Sequence, residues 1–301
     1  KFDTSKSEFA KVLRKRVNGY FKEKNISKNS NFNMISKTVF MMSLYLIPFS
    51  FLVSGYIEMY WLNLLLWVIM GLGMSGIGMS VMHDANHGSY FKTKKYNDIV
   101  GQVIALIGGN AINWKLQHNV LHHTYTNISG MDEDLESDPL MRFSPDQEVK
   151  KLHKYQHIYA WFLYGLMTIS WSIDKDFSQL IRYKRKGLLK MQNINFKKAL
   201  TTLILSKIFY YVYALVIPMI FAPNWWIALI GYFTMHFVAG FVLAIVFQCA
   251  HVIENTEYPK PKETGDMDTD FYVHQLTTTA NFGSGSNFFS WFVGGLNFQV
   301  E

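Results

Sequence analysis

Apolar residues in this chain gather in a few long runs separated by polar, basic stretches. Residues 38–57 and 60–82 are nearly uncharged, and so are residues 201–221 and 225–248. Each run is about 20 residues long, which at about 1.5 Å per helical residue matches a hydrocarbon core of roughly 30 Å. The links within each pair are very short, so the pattern predicts two helical hairpins. Pro48 lies inside the first run and is tolerable where neighbouring helices re-satisfy the backbone. Gly71, Gly73, Gly76 and Gly78 in the second predict close helix packing, with a flexible stretch as the plainer reading.

The shorter segments read differently. Phe9, Val12, Leu13, Val17 and Phe21 recur at helical spacing within the polar residues 1–35, which predicts an amphipathic helix on the membrane surface. Residues 99–112 are apolar but too short to span, and are placed at the interface. Residues 157–173 are of borderline length with charged flanks, and are expected to lie flat or re-enter without crossing. The fold class expected is therefore all-α and integral to the membrane. It has four transmembrane helices in two hairpins under a cytosolic, histidine-rich helical cap, and residues 1–301 form a single domain.

Charge supplies a topology. The chain is 50% hydrophobic and carries a net charge of +7. Lys92, Lys94, Lys95, Lys150, Lys151, Lys154, Arg182, Lys184, Arg185, Lys186, Lys197 and Lys198 all fall in loops that this arrangement puts on one side. The two outer turns, near residues 55–60 and 221–226, hold no Lys or Arg. The positive-inside rule makes the basic side cytosolic, and every histidine cluster lies there. Basic residues flanking apolar runs meet lipid head groups, so a nucleic-acid partner is excluded. The one cysteine, Cys249, excludes a disulfide framework and a cysteine zinc site, and is expected to be a buried structural thiol.

Five of the ten histidines form two tight clusters. His83 and His87 are spaced i,i+4; His118, His122 and His123 are spaced i,i+4,i+5. On a helix i and i+4 share a face, so each cluster offers two nitrogens to one metal. Five imidazoles exceed the three protein ligands of a catalytic zinc, and imidazole also suits iron, copper and nickel. A set this large points to two ions. Asp84, Asn86 and Asn119 are candidates to fix imidazole orientation, or are merely polar helix-end residues. Among the other histidines, His153 and His157 read as solvated and His236 as a core residue bonded across helices. The run Asp132-Glu133-Asp134-Leu135-Glu136-Ser137-Asp138 reads as a solvated turn ended by Pro139, with carboxylate ligation or donor docking as the sharper alternatives. Trp114 and Lys115 are candidates to position substrate, or form a plain interfacial pair.

His83-Asp84-Ala85-Asn86-His87 and His118-Asn119-Val120-Leu121-His122-His123 resemble the first two histidine boxes of the membrane fatty acid desaturases. The ending Gly294-Gly295-Leu296-Asn297-Phe298-Gln299-Val300-Glu301 resembles the approach to the third. In that family two histidines would follow directly after Glu301, so the chain is expected to stop just before them. The resemblance covers nearly the whole chain. It implies O2-dependent insertion of a cis double bond into a fatty acyl chain at a pair of iron ions held by His83, His87, His118, His122 and His123. It adds His251, at the end of the fourth span, as a further iron ligand, and gives His274 a supporting role. Gln299 stands where many members have histidine. This resembles front-end desaturases and implies linoleoyl-type substrates with the new bond near carbon five or six. None of the seven prolines lies in a fused haem-domain motif, so a separate electron donor such as a ferredoxin or a cytochrome is expected. The expected substrate is an acyl-CoA or acyl-lipid, and the expected location the bacterial inner membrane, or the endoplasmic reticulum membrane in a eukaryote. A related di-iron hydroxylase and a non-catalytic metal- or lipid-binding relative remain as alternative readings.

Overall fold

A computed structural model describes residues 2–3, 8–135 and 140–300. Its principal helices, in chain order, are α1 (Glu8–Glu23), α2 (Phe32–Leu52), α3 (Tyr60–Asn86), α4 (Lys94–Gly101) and α5, which is Ala111–Trp114 continued by a π-helical stretch, Lys115–His122. They continue with α6 (Gln156–Gly165), α7 (Asp176–Arg185), α8 (Phe196–Phe221), α9 (Trp225–His251), α10 (Phe271–Thr278) and α11 (Asn287–Phe292). Among the described residues no strand forms, and a single antiparallel bridge joins Asn281 to Phe298. Helices α2, α3, α8 and α9 are long and apolar enough to cross a membrane.

Capping chemistry moves the helix starts away from the hydropathy boundaries. The Asn31 side chain accepts from the Met34 amide, so α2 starts at Phe32 rather than at residue 38. Asn195 does the same for Lys198, so α8 starts at Phe196 rather than at 201. At the far end of α2 the helix stops at Leu52, short of residue 57, and Gly55 turns the chain with φ +77.

The core of the bundle lies where α3 meets α2 and α9. A Cβ on Gly73 would sit 2.7 Å from the Tyr45 amide nitrogen, and one on Gly71 2.7 Å from the Met235 carbonyl oxygen. In lipid there is no hydrophobic gain from bringing helices together, so such close backbone approach supplies the packing energy. Met41, Tyr45, Trp67, Met70 and Met74 fill the seam. Two polar pairs lie within it: Trp67 Nε1 donates to Asn63 Oδ1, and Tyr45 and Tyr213 share a hydroxyl hydrogen bond. Lys207, a cation inside α8, donates to the carbonyls of Gly108 and Trp171 and to Asp176 Oδ2, each at 2.6 Å.

The two borderline segments are helical and broken. Residues 99–112 cover the end of α4, a short 3₁₀ turn over Gln102–Ile107 and a left-handed Gly108, and then enter α5. The segment from α6 to Lys175 lies along α9: Thr168 Oγ1 donates to the His236 carbonyl oxygen, well inside that span. The apolar stripe of α1 (Phe9, Val12, Leu13, Val17) is exposed, while Ala10 is buried. Cys249 is a free thiol and half-buried, less enclosed than its apolar run suggested.

Candidate metal centre

Widened helix lies directly before the first histidine cluster and contains the second. In α3 the stretch Gly78–Met82 is π-helical, directly before His83. In α5 the π-helical stretch contains the cluster itself, and His123 N donates to His118 O at 2.9 Å. That i→i+5 bond brings residue i+5 over residue i. An α-helix would turn His123 off the face shared by His118 and His122; the π turn restores it to that face. Gly88, with φ +76, then ends the first cluster's helix.

The imidazoles converge. His118 Nε2 lies 3.2 Å from His83 Nε2 and 3.2 Å from His123 Nε2. The rings of His83 and His87 are 4.5 Å apart, those of His87 and His123 4.8 Å, and those of His122 and His251 4.6 Å. Ligand atoms of His83, His87 and His118 form one group within 4.8 Å, and those of His118, His122 and Asp134 form a second. His118 belongs to both groups. The clusters are tied through backbone: Asn119 Nδ2 donates to the Asn86 carbonyl, and Asn86 Nδ2 to the Gly101 carbonyl. Neither amide touches an imidazole nitrogen; both lock α3 to its neighbours. Asp84 does reach one, with Oδ1 3.0 Å from His83 Nδ1.

The acidic run is a correction to the sequence reading. Asp132 and Glu133 are buried, not solvated, because the turn folds back over α5. Both Asp132 oxygens lie 3.0 Å from His122 Nδ1. They also accept from the Asn127 and Asp134 amides, at 2.9 and 3.0 Å. Glu133 pairs with Arg182 and Lys186 on and beside α7. Asp134 accepts from Gln117 Nε2 and lies 3.6 Å from His118 Nδ1. Glu136, Ser137, Asp138 and Pro139 lie outside the described residues, as does Glu301. Aspartates 10 and 12 residues beyond His122 carry no periodic signal that would have marked them.

Electrostatics keeps most of these rings neutral. Burial, then repulsion among the histidines, lowers His87 to about 2 and His123 to about 3, and holds His118 well below the usual histidine value. Burial works the same way on His122, but the Asp132 carboxylate outweighs it and raises that group. When this ring is neutral, Nδ1–H donates to Asp132 and the lone pair is on Nε2. That atom is buried and has no hydrogen-bond partner.

These features fit a metal. The Nε2 atoms of His83, His118 and His123 crowd together, and one proton on His118 Nε2 cannot satisfy two neighbours at 3.2 Å. Imidazole nitrogens bind such ions at about 2.0–2.1 Å, so two ligands at right angles around one ion lie about 3 Å apart. The observed spacing matches that of two ligands on one ion, and His122 Nε2 is a buried nitrogen without a partner.

The remaining candidates are placed as follows. Trp114 is buried against the cluster, its ring 4.5 Å from that of His118 and 5.6 Å from that of His83. Lys115 turns away and pairs with Asp98 at 3.0 Å. His251 is buried at the end of α9, with Nδ1 3.5 Å from the Thr278 carbonyl oxygen. His274 is buried on α10, its nitrogens without a well-formed hydrogen bond; burial lowers its pKa. Gln299 lies in a half-buried turn beside the Asn281–Phe298 bridge. That turn packs near the cluster's end of the bundle, since the Ala280 amide donates to Ala250 O beside His251. His236 is a core residue, bonded to Tyr210 and Thr168. His157 is exposed, and His153 accepts from the Lys150 amide.

Comparison with known proteins agrees with this geometry. The family model described as fatty acid desaturase matches residues 59–301. An sn-1 linoleoyl-lipid 6-desaturase of Arthrospira platensis is 35% identical over 97% of this chain and 78% of its own length. A protein of the same description from Synechocystis sp. is 30% identical over 99% of this chain and 82% of its own. An acyl-lipid (8-3)-desaturase of Physcomitrium patens is also 30% identical, over 99% of this chain and 62% of its own length. Four apolar helices, two histidine clusters able to hold metal and a family match over most of the sequence lead to one conclusion: this chain is a multi-pass membrane protein of the fatty acid desaturase family.

Proposed function

We propose that the chain is an O2-dependent, front-end acyl desaturase that binds two iron ions through His83, His87, His118, His122, His123 and His251. The observation that carries this reading is the position of His118, whose Nε2 stands 3.2 Å from histidines of both clusters and whose ring belongs to both ligand groups. The shared residue shows that the two ligand groups adjoin, and two adjoining groups are what a pair of ions would need.

An iron pair bound there supplies the reduction of O2 that makes cleavage of an unactivated C–H bond accessible. The balance is two hydrogens from adjacent methylenes, two electrons from a donor and two protons, with O2 leaving as two waters. The chain's own part is orientation and exclusion of water. Trp114 lines the cluster with an apolar face against which an acyl chain can lie. Asp84 and Asp132 hold His83 and His122 by their Nδ1 atoms, leaving Nε2 for the metal. Two of the relatives are named for linoleoyl-lipid and for position six. Together with Gln299 they support a linoleoyl chain on a lipid as substrate, with the new bond near carbon five or six. We place the two hairpins with the histidine-bearing ends at the cytosolic face of a bacterial inner membrane, with electrons from a separate redox protein such as a ferredoxin.

The test is fatty acid profiling of a host that expresses the full-length protein and is fed linoleate. The expected product is lighter than its substrate by two hydrogens, with the added bond on the carboxyl side of those already present. A product heavier by one oxygen would make the protein a hydroxylase. His83→Ala and His122→Ala are expected to abolish the product; full activity in either would refute its ligand role.

A further inference from the structure

Two of the converging histidines come from distant parts of the chain. His122 is on α5 and His251 ends α9, yet their rings stand 4.6 Å apart. One buried residue spans that gap. Asn127 is fully buried and lies four residues after His123, with φ +59. Its Nδ2 reaches the carbonyl oxygens of His251 at 3.0 Å, Glu257 at 3.1 Å and Thr278 at 3.3 Å. Its backbone amide donates to Asp132 Oδ2, and Asp132 in turn holds His122 Nδ1. The Thr278 carbonyl that Asn127 contacts also lies 3.5 Å from His251 Nδ1.

We infer that Asn127 is a positioning residue that sets His251 against His122. Its side chain fixes the last turn of α9 and the end of α10, while its main chain fixes the carboxylate that orients His122. The residue type follows from the geometry. A left-handed backbone suits Asn and Gly among the common residues, but only Asn also offers an NH2 to a cluster of buried carbonyls. These carbonyls belong to segments more than a hundred residues away along the chain, so the contact joins elements that nothing local would bring together. The inference rests on the reading of His251 as a metal ligand.

The experiment separates the side chain from the backbone angle. Glycine keeps φ +59 accessible and removes only the amide, so Asn127→Gly tests the side chain alone. Metal-free, full-length protein in detergent is titrated with cobalt(II), read by its visible absorption, for the native chain, N127G, H251A and N127G/H251A. Outer groups that orient a ligand are typically worth about 10–100-fold in metal affinity, and N127G is expected to lose about that much on the weaker of two ions. The loss is expected to be absent when N127G is added to H251A, because the residue acts through that ring. Multiplicative losses in the double variant, or native affinity in N127G, overturn the inference while leaving the metal site intact. Native affinity in H251A refutes the ligand role of His251 itself. If N127G cannot be recovered folded, Asn127→Asp serves instead. It has the same shape and tolerates the same angle, but sets a carboxylate against the three carbonyls, so the same loss is expected; native affinity in N127D overturns the inference.

Discussion

Asp132→Asn is the most informative single substitution, because it preserves shape and removes only charge and one acceptor. The Asp132 side chain is fully buried, and its two oxygens accept from three donors: His122 Nδ1, the Asn127 amide and the Asp134 amide. In asparagine one oxygen becomes an NH2, so at least one of those donors faces another donor. Losing a hydrogen bond to a charged group costs about 1.5–3 kcal/mol, and a buried group left unsatisfied costs about 1–3 kcal/mol. Release of His122 alone, at about 1.4 kcal/mol per tenfold, corresponds to about 10–100-fold weaker metal binding, which is the range found when ligand-orienting partners are removed. The introduced amide can satisfy His122 by pointing its oxygen at Nδ1, and then the main-chain donors bear the cost as lower stability. The assay is iron retained by D132N after competition with a graded chelator, alongside the thermal midpoint of the metal-free protein. Native iron retention together with a native midpoint would refute the role assigned to this carboxylate.

Two further outcomes follow from packing and charge. His87, His118 and His123 have folded-state pKa values below the ordinary histidine value, so the unfolded chain takes up protons that the folded chain refuses. The stability of metal-free protein should therefore fall as pH drops from about 6.5 toward 3, by up to about 1.4 kcal/mol per pH unit for each such group. His122, raised by Asp132, adds stability on the acid side that fades as pH rises through its folded-state value. Denaturant titrations of stripped protein between neutral and mildly acid pH would show the decline, and constant stability would contradict the neutral cluster. Gly73→Ala should cost about 1–3 kcal/mol or prevent assembly, because the added carbon would lie 2.7 Å from the Tyr45 amide nitrogen and 2.8 Å from the Leu44 carbonyl carbon, which cannot rotate away. Normal yield of monodisperse G73A protein in detergent would show that α2 and α3 can separate without penalty.

Hydropathy and residue spacing were enough to establish the membrane class and the two histidine clusters. A run of apolar residues long enough to cross a bilayer leaves few alternatives to a helix, because backbone polar groups have no other partner in lipid. Spacing of i,i+4 placed His83 with His87 and His118 with His122 for the same local reason. The rest came from packing. His123 joins its neighbours only through a π turn, which the pattern of side chains does not encode. Asp132 and Glu133 read as a solvated turn, since acidic residues near a proline usually are one; their burial depends on His122 and on Arg182, which is 49 residues beyond Glu133. Lys207 sits in an otherwise apolar span because Asp176 and two carbonyls await it there. Asn127 gave no signal at all, as its partners are on α9, α10 and the loop between them. Local periodicity records how much of each helix lipid or protein covers. It carries no information on which distant polar group meets which, and that pairing is settled only when the helices pack and each buried donor must find an acceptor.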